Sequence, residues 1–283
     1  MTIDDVTLSI LCWRQRDVLC RTLVEFHKRG ILDCFTKKRA FLNELTDADR
    51  EIAENFGLEA IGYATNTGIF GGVKGLAEAC TSEFMLLVEN DCPPIVDAET
   101  FVSVVNRSVD DMRANDCPVF SLRSRRLPGE KFDRRERYMR NFQLEQPLAE
   151  RPELASARSQ SSWLRRLVED WRKSKLIGCA LYSEEQPCLR HPSVIRKTDN
   201  GNFLTSSKYL SWSNNCLLVR ADFMRNVIIP RVRTHPSKVT LNGHQDIEGA
   251  MKVENWWRKL NVPMGQAEPG PLTHARWAEP PAN

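Results

Sequence analysis

The sequence has no C-x-x-C pair, no internal repeat and no low-complexity tract. Its nine cysteines, at 12, 20, 34, 80, 92, 117, 179, 188 and 216, are scattered and odd in number. That argues against a zinc site or a disulfide framework and fits a reducing compartment. Cys12 and Cys80 lie among apolar or small residues, where a thiol behaves as a small hydrophobe. No apolar run approaches the roughly 18 residues a membrane span requires. The stretch Met1-Thr2-Ile3-Asp4-Asp5 is acidic and lacks the charge pattern of a signal peptide. The expected location is the cytoplasm, with membrane contact at most peripheral, at the inner face. Charge of one sign is scarce as well: 40 basic against 37 acidic residues leave a net +3, too small an excess for general nucleic-acid binding.

What is present is globular material, 41% hydrophobic and 27% charged over 283 residues, enough for one large domain or two small ones. The first half alternates strand-like and helix-like segments. Thr7 to Trp13 reads as a strand and Asp17 to Arg29 as an amphipathic helix; a short strand follows over Arg39 to Asn43. Thr46 is placed to cap an acidic first turn that runs to about Phe56, where Gly57 stops it. Leu58 to Tyr63 is the next strand, then a glycine-rich turn over Asn66 to Gly75 opens a helix through Cys80. Ala98 to Ala114 reads as a helix and Pro118 to Leu122 as a strand. Such alternation predicts an α/β fold, a mostly parallel central sheet flanked by helices, with ligands beyond the carboxyl ends of the strands.

The most informative segment is Phe84 to Val88, five apolar residues that end in Glu89-Asn90-Asp91 and then Cys92-Pro93-Pro94. An unbroken apolar run suits a strand covered on both faces. Acids at its tip are costly beside such a core unless they meet a charge, and a divalent metal holding a diphosphate would supply one. The same pattern also fits an ordinary acidic turn. Beyond Leu122 the chain is charged, and Arg123, Arg125, Arg126, Lys131, Arg134, Arg135, Arg137 and Arg140 read as a solvated face or mobile loop that could meet an anionic substrate. Ser162 to Lys173 has helical spacing, Leu217 to Val219 is apolar, and His244 to Leu260 reads as a final helix with Ile247, Ala250, Met251 and Trp257 inward. His27, His191 and His235 read as structural.

Taken in order, these motifs resemble a GT-A glycosyltransferase, of the large inverting family that builds polysaccharides and lipopolysaccharides from nucleotide-diphosphate sugars. Leu11-Cys12-Trp13-Arg14-Gln15-Arg16 resembles the family's first strand and turn, with Arg14 where an asparagine is usual. Asn43-Glu44 stands in the place of the acidic second-strand motif, and Asn66-x-Gly68-x-x-Gly71 is similar to the asparagine-glycine turn, with Lys74 where a second asparagine is common. Glu89-Asn90-Asp91 takes the place of the D-x-D metal motif, His244-Gln245-Asp246-Ile247-Glu248 that of the acidic acceptor-site motif, and Pro269 to Arg276 that of a segment whose histidine completes the metal site in some members.

The resemblance implies a division of labour. Residues 1–122 would form the nucleotide-sugar-binding half, 123–160 a charged loop or insertion, and 161–283 the acceptor half of the same domain. Trp13, Arg14, Asn43, Glu44, Asn66, Gly68, Lys74, Glu89 and Asn90 would bind the donor, Glu89 at its ribose. Asp91 and His274 would hold a divalent cation, Mn or Mg, although His274 taken singly reads as a surface or satisfied histidine. Asp246 would be the general base, with Glu248 second, and Trp212, Asn214 and Asn215 would shape the acceptor pocket, Trp212 having core packing as its other reading. The implied reaction moves a sugar with inversion to a hydroxyl of a bacterial glycan or glycolipid. Two rivals stand beside it: a nucleotidyltransferase, which would need a glycine-rich phosphate loop after the first strand where Cys12-Trp13-Arg14-Gln15 has none, and a non-catalytic or degenerate nucleotide-sugar binder.

Overall fold

The computed structural model describes residues 2–129, 133–142, 174–238, 240 and 243–275. The helix expected over Ser162 to Lys173 lies outside them. Among the described residues the chain forms one nine-stranded sheet with helices on both faces, in the order β3-β2-β1-β4-β8-β5-β9-β7-β6. The strands are β1 (Ile3–Trp13), β2 (Phe35–Asn43), β3 (Glu59–Tyr63), β4 (Phe84–Glu89), β5 (Val119–Ser121), β6 (Arg196–Lys197), β7 (Phe203–Ser206), β8 (Leu217–Arg220) and β9 (Pro263–Gln266). The first-half helices are α1 (Arg16–Lys28), α2 (Asp47–Asn55), α3 (Gly68–Ala79) and α4 (Ala98–Ala114). No helix among the described residues is long and apolar enough to cross a membrane.

The parallel part is β3-β2-β1-β4, as the βα rhythm predicts; beyond β4 the sheet turns mixed, with β8 antiparallel to both β4 and β5. Alternation decides which layer each side chain enters. From β4, Phe84, Leu86 and Val88 join one core with Ile10, Leu23 and Phe101, while Met85 and Leu87 join the opposite core with Leu11, Val73 and Leu76. Each face is covered by helices, which is why the β4 run carries no polar residue before Glu89.

Register places the site. Trp13 sits opposite Asn43, Leu11 opposite Glu89, and Leu87 opposite Leu217. The ends of β1, β2 and β4 are therefore flush, and because β8 runs the other way, the residues just before it emerge at the same edge. Asn214 and Asn215 thus arrive beside Glu89 although they are far away in sequence.

Four local readings need correction. Strand β2 begins at Phe35 rather than Arg39; its first residues pair with β1 alone, because β3 reaches β2 only from Arg39 onward, so Lys37 stays in solvent. The charged stretch after Leu122 is not only a loop: α5 (Asp133–Phe142) is helical, anchored by Tyr138, which is fully buried and stacked on Phe142 at 4.4 Å. Arg123 and Arg125 are buried rather than solvated. Arg125 ion-pairs with Glu268, donates to the backbone carbonyls of Leu181 and Glu184, and lies 4.4 Å from the centre of the Phe203 ring. A buried guanidinium is tolerable only with such a full set of acceptors. Finally, the segment read as one helix over His244 to Leu260 is two, α6 (Ile247–Lys252) and α7 (Trp256–Leu260), because Glu254 and Asn255 both take φ of 56° and end the first. Trp257 still points inward.

Strand β9 was not anticipated, since Pro263-Met264-Gly265-Gln266 has little strand character. Proline is accepted as its first residue. Gly265 is required by packing: a Cβ there would lie 1.9 Å from two atoms of the Phe120 ring. We therefore expect Gly265→Ala to destabilise the protein by about 1–3 kcal/mol, measured by urea denaturation, and Gly265→Ala with Phe120→Leu to regain part of the loss; an unchanged midpoint in the single variant would refute this packing account.

Candidate active site

The tip of β4 is closed by a late segment of the chain. Ile95 N donates to Pro271 O at 2.9 Å, Thr273 N to Pro93 O at 3.1 Å and Ala275 N to Asp91 O at 2.9 Å. This ladder sets His274 against Asp91, Nε2 to Oδ2 at 3.0 Å, with the histidine only 7% exposed. The Asn215 amide lies 3.3 Å from His274 Nδ1. Its neighbours orient it with NH2 toward the Glu89 carboxylate, to which it donates twice, once at 3.2 Å to Oε1. The Asn215 carbonyl then accepts from Nδ1–H, so Nε2 turns a lone pair toward the Asp91 carboxylate. Two acceptors at that distance need a proton or a cation between them. The donor set therefore fits a divalent ion. Cys92 Sγ is near enough to join, with the ligand atoms of all three residues within 4.8 Å of one another. Burial and the adjoining Cys216 thiol push the Cys92 thiol well above its ordinary range.

Two more acids face this pair. Asp246 caps α6, accepting the backbone N–H of Glu248 at 3.2 Å and of Gly249 at 3.0 Å. Glu248 accepts the backbone N–H of Asn214 at 3.3 Å. Burial raises the Glu248 carboxyl above its ordinary range, Asp246 adds to the rise, and Lys252 opposes it. Glu89 senses the whole group: burial first, then Asp91, Glu248 and Asp246, raise it from 4.5 to about 8, against the pull of Arg123. Asp91, Asp246 and Glu248 thus all lie within electrostatic reach of the Glu89 carboxyl.

Beside it, the β1 and β2 ends form a polar cleft of about 510 Å³ that Arg14, Arg16, Glu44, Thr46 and Asp49 help to line. Glu44 is clamped there, accepting from Trp13 Nε1 at 3.0 Å and from Arg14 Nη2 at 2.8 Å. Those bonds, Arg14 first, hold its carboxyl below the ordinary range. Arg14 and Glu44 both adopt positive φ, 54° and 58°, so the two turns after β1 and β2 lean toward each other. Arg16 makes the matching pair with Asp49 and donates to Thr46 Oγ1 at 2.9 Å; Thr46 and Asp49 form the anticipated cap of α2, here a reciprocal capping box.

The remaining residues singled out from the sequence divide. Asn43 is 5% exposed and its amide is consumed by the next turn, accepting from Thr67 N at 3.0 Å and Thr67 Oγ1 at 2.8 Å and donating to Gly68 O at 3.2 Å. Asn66 folds back on Gly68 N at 2.8 Å. Both shape the start of α3, and Asn43 also lines the cleft. Gly68 has φ of 69°, and a Cβ there would lie 2.3 Å from His244 Cβ, so its lack of a side chain lets α3 abut the segment that carries Asp246. Lys74 is on the flank of α3, paired with Glu78 at 2.9 Å. Asn90 Nδ2 donates to Gln15 at 3.1 Å, joining the tip of β4 to the turn after β1. Trp212 is 4% exposed, donates to Asn214 Oδ1 at 2.9 Å and packs edge-on to Trp257 at 5.2 Å, so it is core and site wall at once. The sequence reading did not place Arg16 or Cys92 at the site, and it named Arg123 and the cations of α5 only within a charged stretch that could meet an anionic substrate; a basic residue in such a stretch gives no sign of which one turns inward.

On the other side of the acids is a cavity of about 310 Å³, where Glu248, Trp212, Asn215, Tyr209 and Tyr182 meet basic residues. No protein-family model matches the chain, and no curated protein matches it. Among solved structures, it is similar to S. aureus TarS at 10% identity and a TM-score of 0.49, over 97% of this chain and 60% of that one. It is also similar to the mannosyltransferase PcManGT from Pyrobaculum calidifontis in complex with GDP-Man and Mn2+, at 11% identity and 0.35, over 41% of this chain and 34% of that one. A third likeness is to CMP:2-keto-3-deoxy-manno-octonic acid synthetase complexed with CTP, at 7% identity and 0.44, over 94% and 92%. The chain spans less than two thirds of the length of the first two. Each likeness is distant, so the functional argument rests on the topology and side chains described above.

The raised Glu89 gives a stability signature. Its proton binds more tightly in the folded chain, so the contribution is complete below about pH 4.5, the ordinary value, and is lost as pH rises through about 8. Without added metal, Glu89→Gln and the parent should have similar melting temperatures at pH 5, and the variant should melt several degrees higher at pH 9. A parent protein that is the more stable of the two at pH 9 would contradict this assignment.

Proposed function

We propose that the chain is a GT-A-type glycosyltransferase that moves a sugar from a nucleotide-diphosphate donor to a hydroxyl, with inversion and with a divalent cation. The observation that carries the reading is the meeting of Asp91 and His274 with Asp246, Glu248 and Glu89 at the carboxyl edge of the parallel strands. Ligands of α/β sheets bind at that edge. A cleft on one side and a cavity on the other give the two substrates separate approaches.

The residues would take the following roles in this reading. The cleft between the β1 and β2 ends suits the nucleoside, with the Glu44 carboxylate, fixed by Trp13 and Arg14, as its hydrogen-bond acceptor. Glu89, at the last position of β4, faces the ribose. Asp91 and His274 would hold the cation, which when bound neutralises charge on the departing diphosphate. Asp246 takes the proton of the acceptor hydroxyl. Its two bonds from backbone N–H groups fix its direction. Glu248, at the cavity wall with Trp212, orients the acceptor.

A second assignment of the base is favoured by one observation: Glu248 lines the cavity and Asp246 does not. The nucleotidyltransferase reading gains no such support, since the turn after β1 has no glycine and its Arg14 is tied to Glu44. A panel of nucleotide sugars incubated with Mn should release sugar to water, with no exchange of pyrophosphate. In a full transfer assay, Asp246→Asn should lower kcat by about 10²–10⁴-fold with donor affinity unchanged, and Asp91→Ala should remove the metal dependence of nucleotide binding. A larger loss in Glu248→Gln than in Asp246→Asn would move the base to Glu248, and pyrophosphate exchange without sugar release would overturn the transferase reading.

A further inference from the structure

The turn after β4 brings three kinds of ligand atom together. Cys92 N donates to Glu89 O at 3.1 Å, which folds the turn back on the end of the strand. The Cys92 thiol points at the Asp91 carboxylate, Sγ to Oδ1 at 3.6 Å, while the other oxygen, Oδ2, faces His274 Nε2 at 3.0 Å. One carboxylate thus has sulfur on one side and imidazole nitrogen on the other, and the ligand atoms of all three lie within 4.8 Å of one another. No other group of three such side chains comes together among the described residues. Glu89 is not in it; its carboxylate receives the Asn215 amide. Backbone bonds hold the group from both ends: Thr273 N to Pro93 O and Ala275 N to Asp91 O bracket His274, and Pro93-Pro94 restricts the chain directly after Cys92. Cys92 and His274 are buried, and Asp91, with 20% of its side chain exposed, is the most open of the three. Cys, His and Asp are the side chains that bind Zn, and three of them leave one position of a tetrahedral ion open, the pattern of a catalytic rather than a structural site. Mg is held by oxygen ligands.

We infer that Cys92 is a third ligand of the cation site, and that the site selects Zn, or a chemically similar ion such as Co, over Mg. This rests on the cation site of the transferase reading and changes its ligand set and its metal. Thiolate favours Zn, imidazole suits Zn as well, and carboxylate alone would have suited Mg or Mn. On binding, the ion takes the place of the Cys92 thiol proton, which leaves to solvent, so sulfur meets the metal as thiolate. The lack of a C-x-x-C pair argues against a site built of several sulfurs and has no bearing on a site with one. Its ligands adjoin only in space, two at 91 and 92 and the third at 274.

The test is titration of the full chain, stripped of metal by a chelator, with Co, followed by absorption. The parent protein should show a sulfur-to-cobalt charge-transfer band in the near ultraviolet. That band should vanish in Cys92→Ser and in His274→Ala, and persist in Cys216→Ser, whose thiol adjoins Cys92. Zn affinity, read by competition with a chromophoric chelator, should fall by about ten-fold or more in Cys92→Ser, since even partners outside the ligand set are worth that much, while Mg affinity stays as in the parent. Should the Cys92 and His274 variants misfold by circular dichroism, X-ray absorption of the Zn-loaded parent protein decides: sulfur at about 2.3 Å with nitrogen at about 2.0–2.1 Å supports the site, and nitrogen and oxygen alone refute it. Cobalt bound without a charge-transfer band, or a band that survives in folded Cys92→Ser protein, would overturn the inference and leave Asp91 with His274 as the cation site of the transferase. Sulfur ligation in a protein that binds no nucleotide sugar would leave the three-ligand site standing and sink the transferase reading.

Discussion

Glu89, Asp91, Asp246 and Glu248 are pressed toward one another at the edge of a sheet, and their mutual repulsion organises much of what surrounds them. Burial and three neighbouring carboxylates keep the proton on Glu89 to about pH 8, and burial with Asp246 raises Glu248. Arg123 opposes the rise at Glu89 and Lys252 the rise at Glu248. Asn215 gives its NH2 to Glu89 and turns its carbonyl to His274, which leaves the imidazole lone pair facing Asp91. Each of these contacts lowers the cost of holding acids beside an apolar core, and none of them removes it. A cation between Asp91 and His274 would.

The sheet explains how such an arrangement is stable. Strand β4 is buried on both faces, so its end is held as rigidly as its middle, and the pairing of Leu11 with Glu89 and Leu87 with Leu217 fixes three segments to within one residue of register. The late segment that bears His274 hydrogen-bonds along residues 91–95, and its neighbour Gln266 in β9 donates to Arg123 O at 2.7 Å. The site is thus assembled from early and late parts of the chain over a rigid edge. That is the condition under which a few carboxylates can be kept in productive geometry.

Much of this was legible in the sequence where local rules and burial agree. The run Phe84 to Val88 announces a doubly covered strand, the Thr46–Asp49 spacing announces a capped helix, and the acids after Val88 announce the edge at which ligands bind. What was not legible depends on partners remote in sequence. Gly265 makes β9 possible only because Phe120 lies over it. Glu254 and Asn255 end α6 through their backbone conformation, which their side-chain types do not signal. Asn43 has the chemistry of a ligand-binding residue, yet Thr67 and Gly68 consume it. The charged stretch after Leu122 hides the largest difference of all, since Arg125 is locked among carbonyls and Arg134 faces a cavity, and nothing in the spacing tells one from the other.

That difference between two arginines bears on how the two halves of the site divide their work. Arg125 has its charge consumed by Glu268 and by backbone oxygens, so it holds the fold and offers nothing to a ligand. Arg134, by contrast, lines the cavity that Glu248 also lines. Here the acids are tied down by the α6 cap, the β4 register and the His274 ladder, and α5 is tied down through Tyr138. The scaffold thus fixes the acids and Arg134 on separately anchored elements around one cavity.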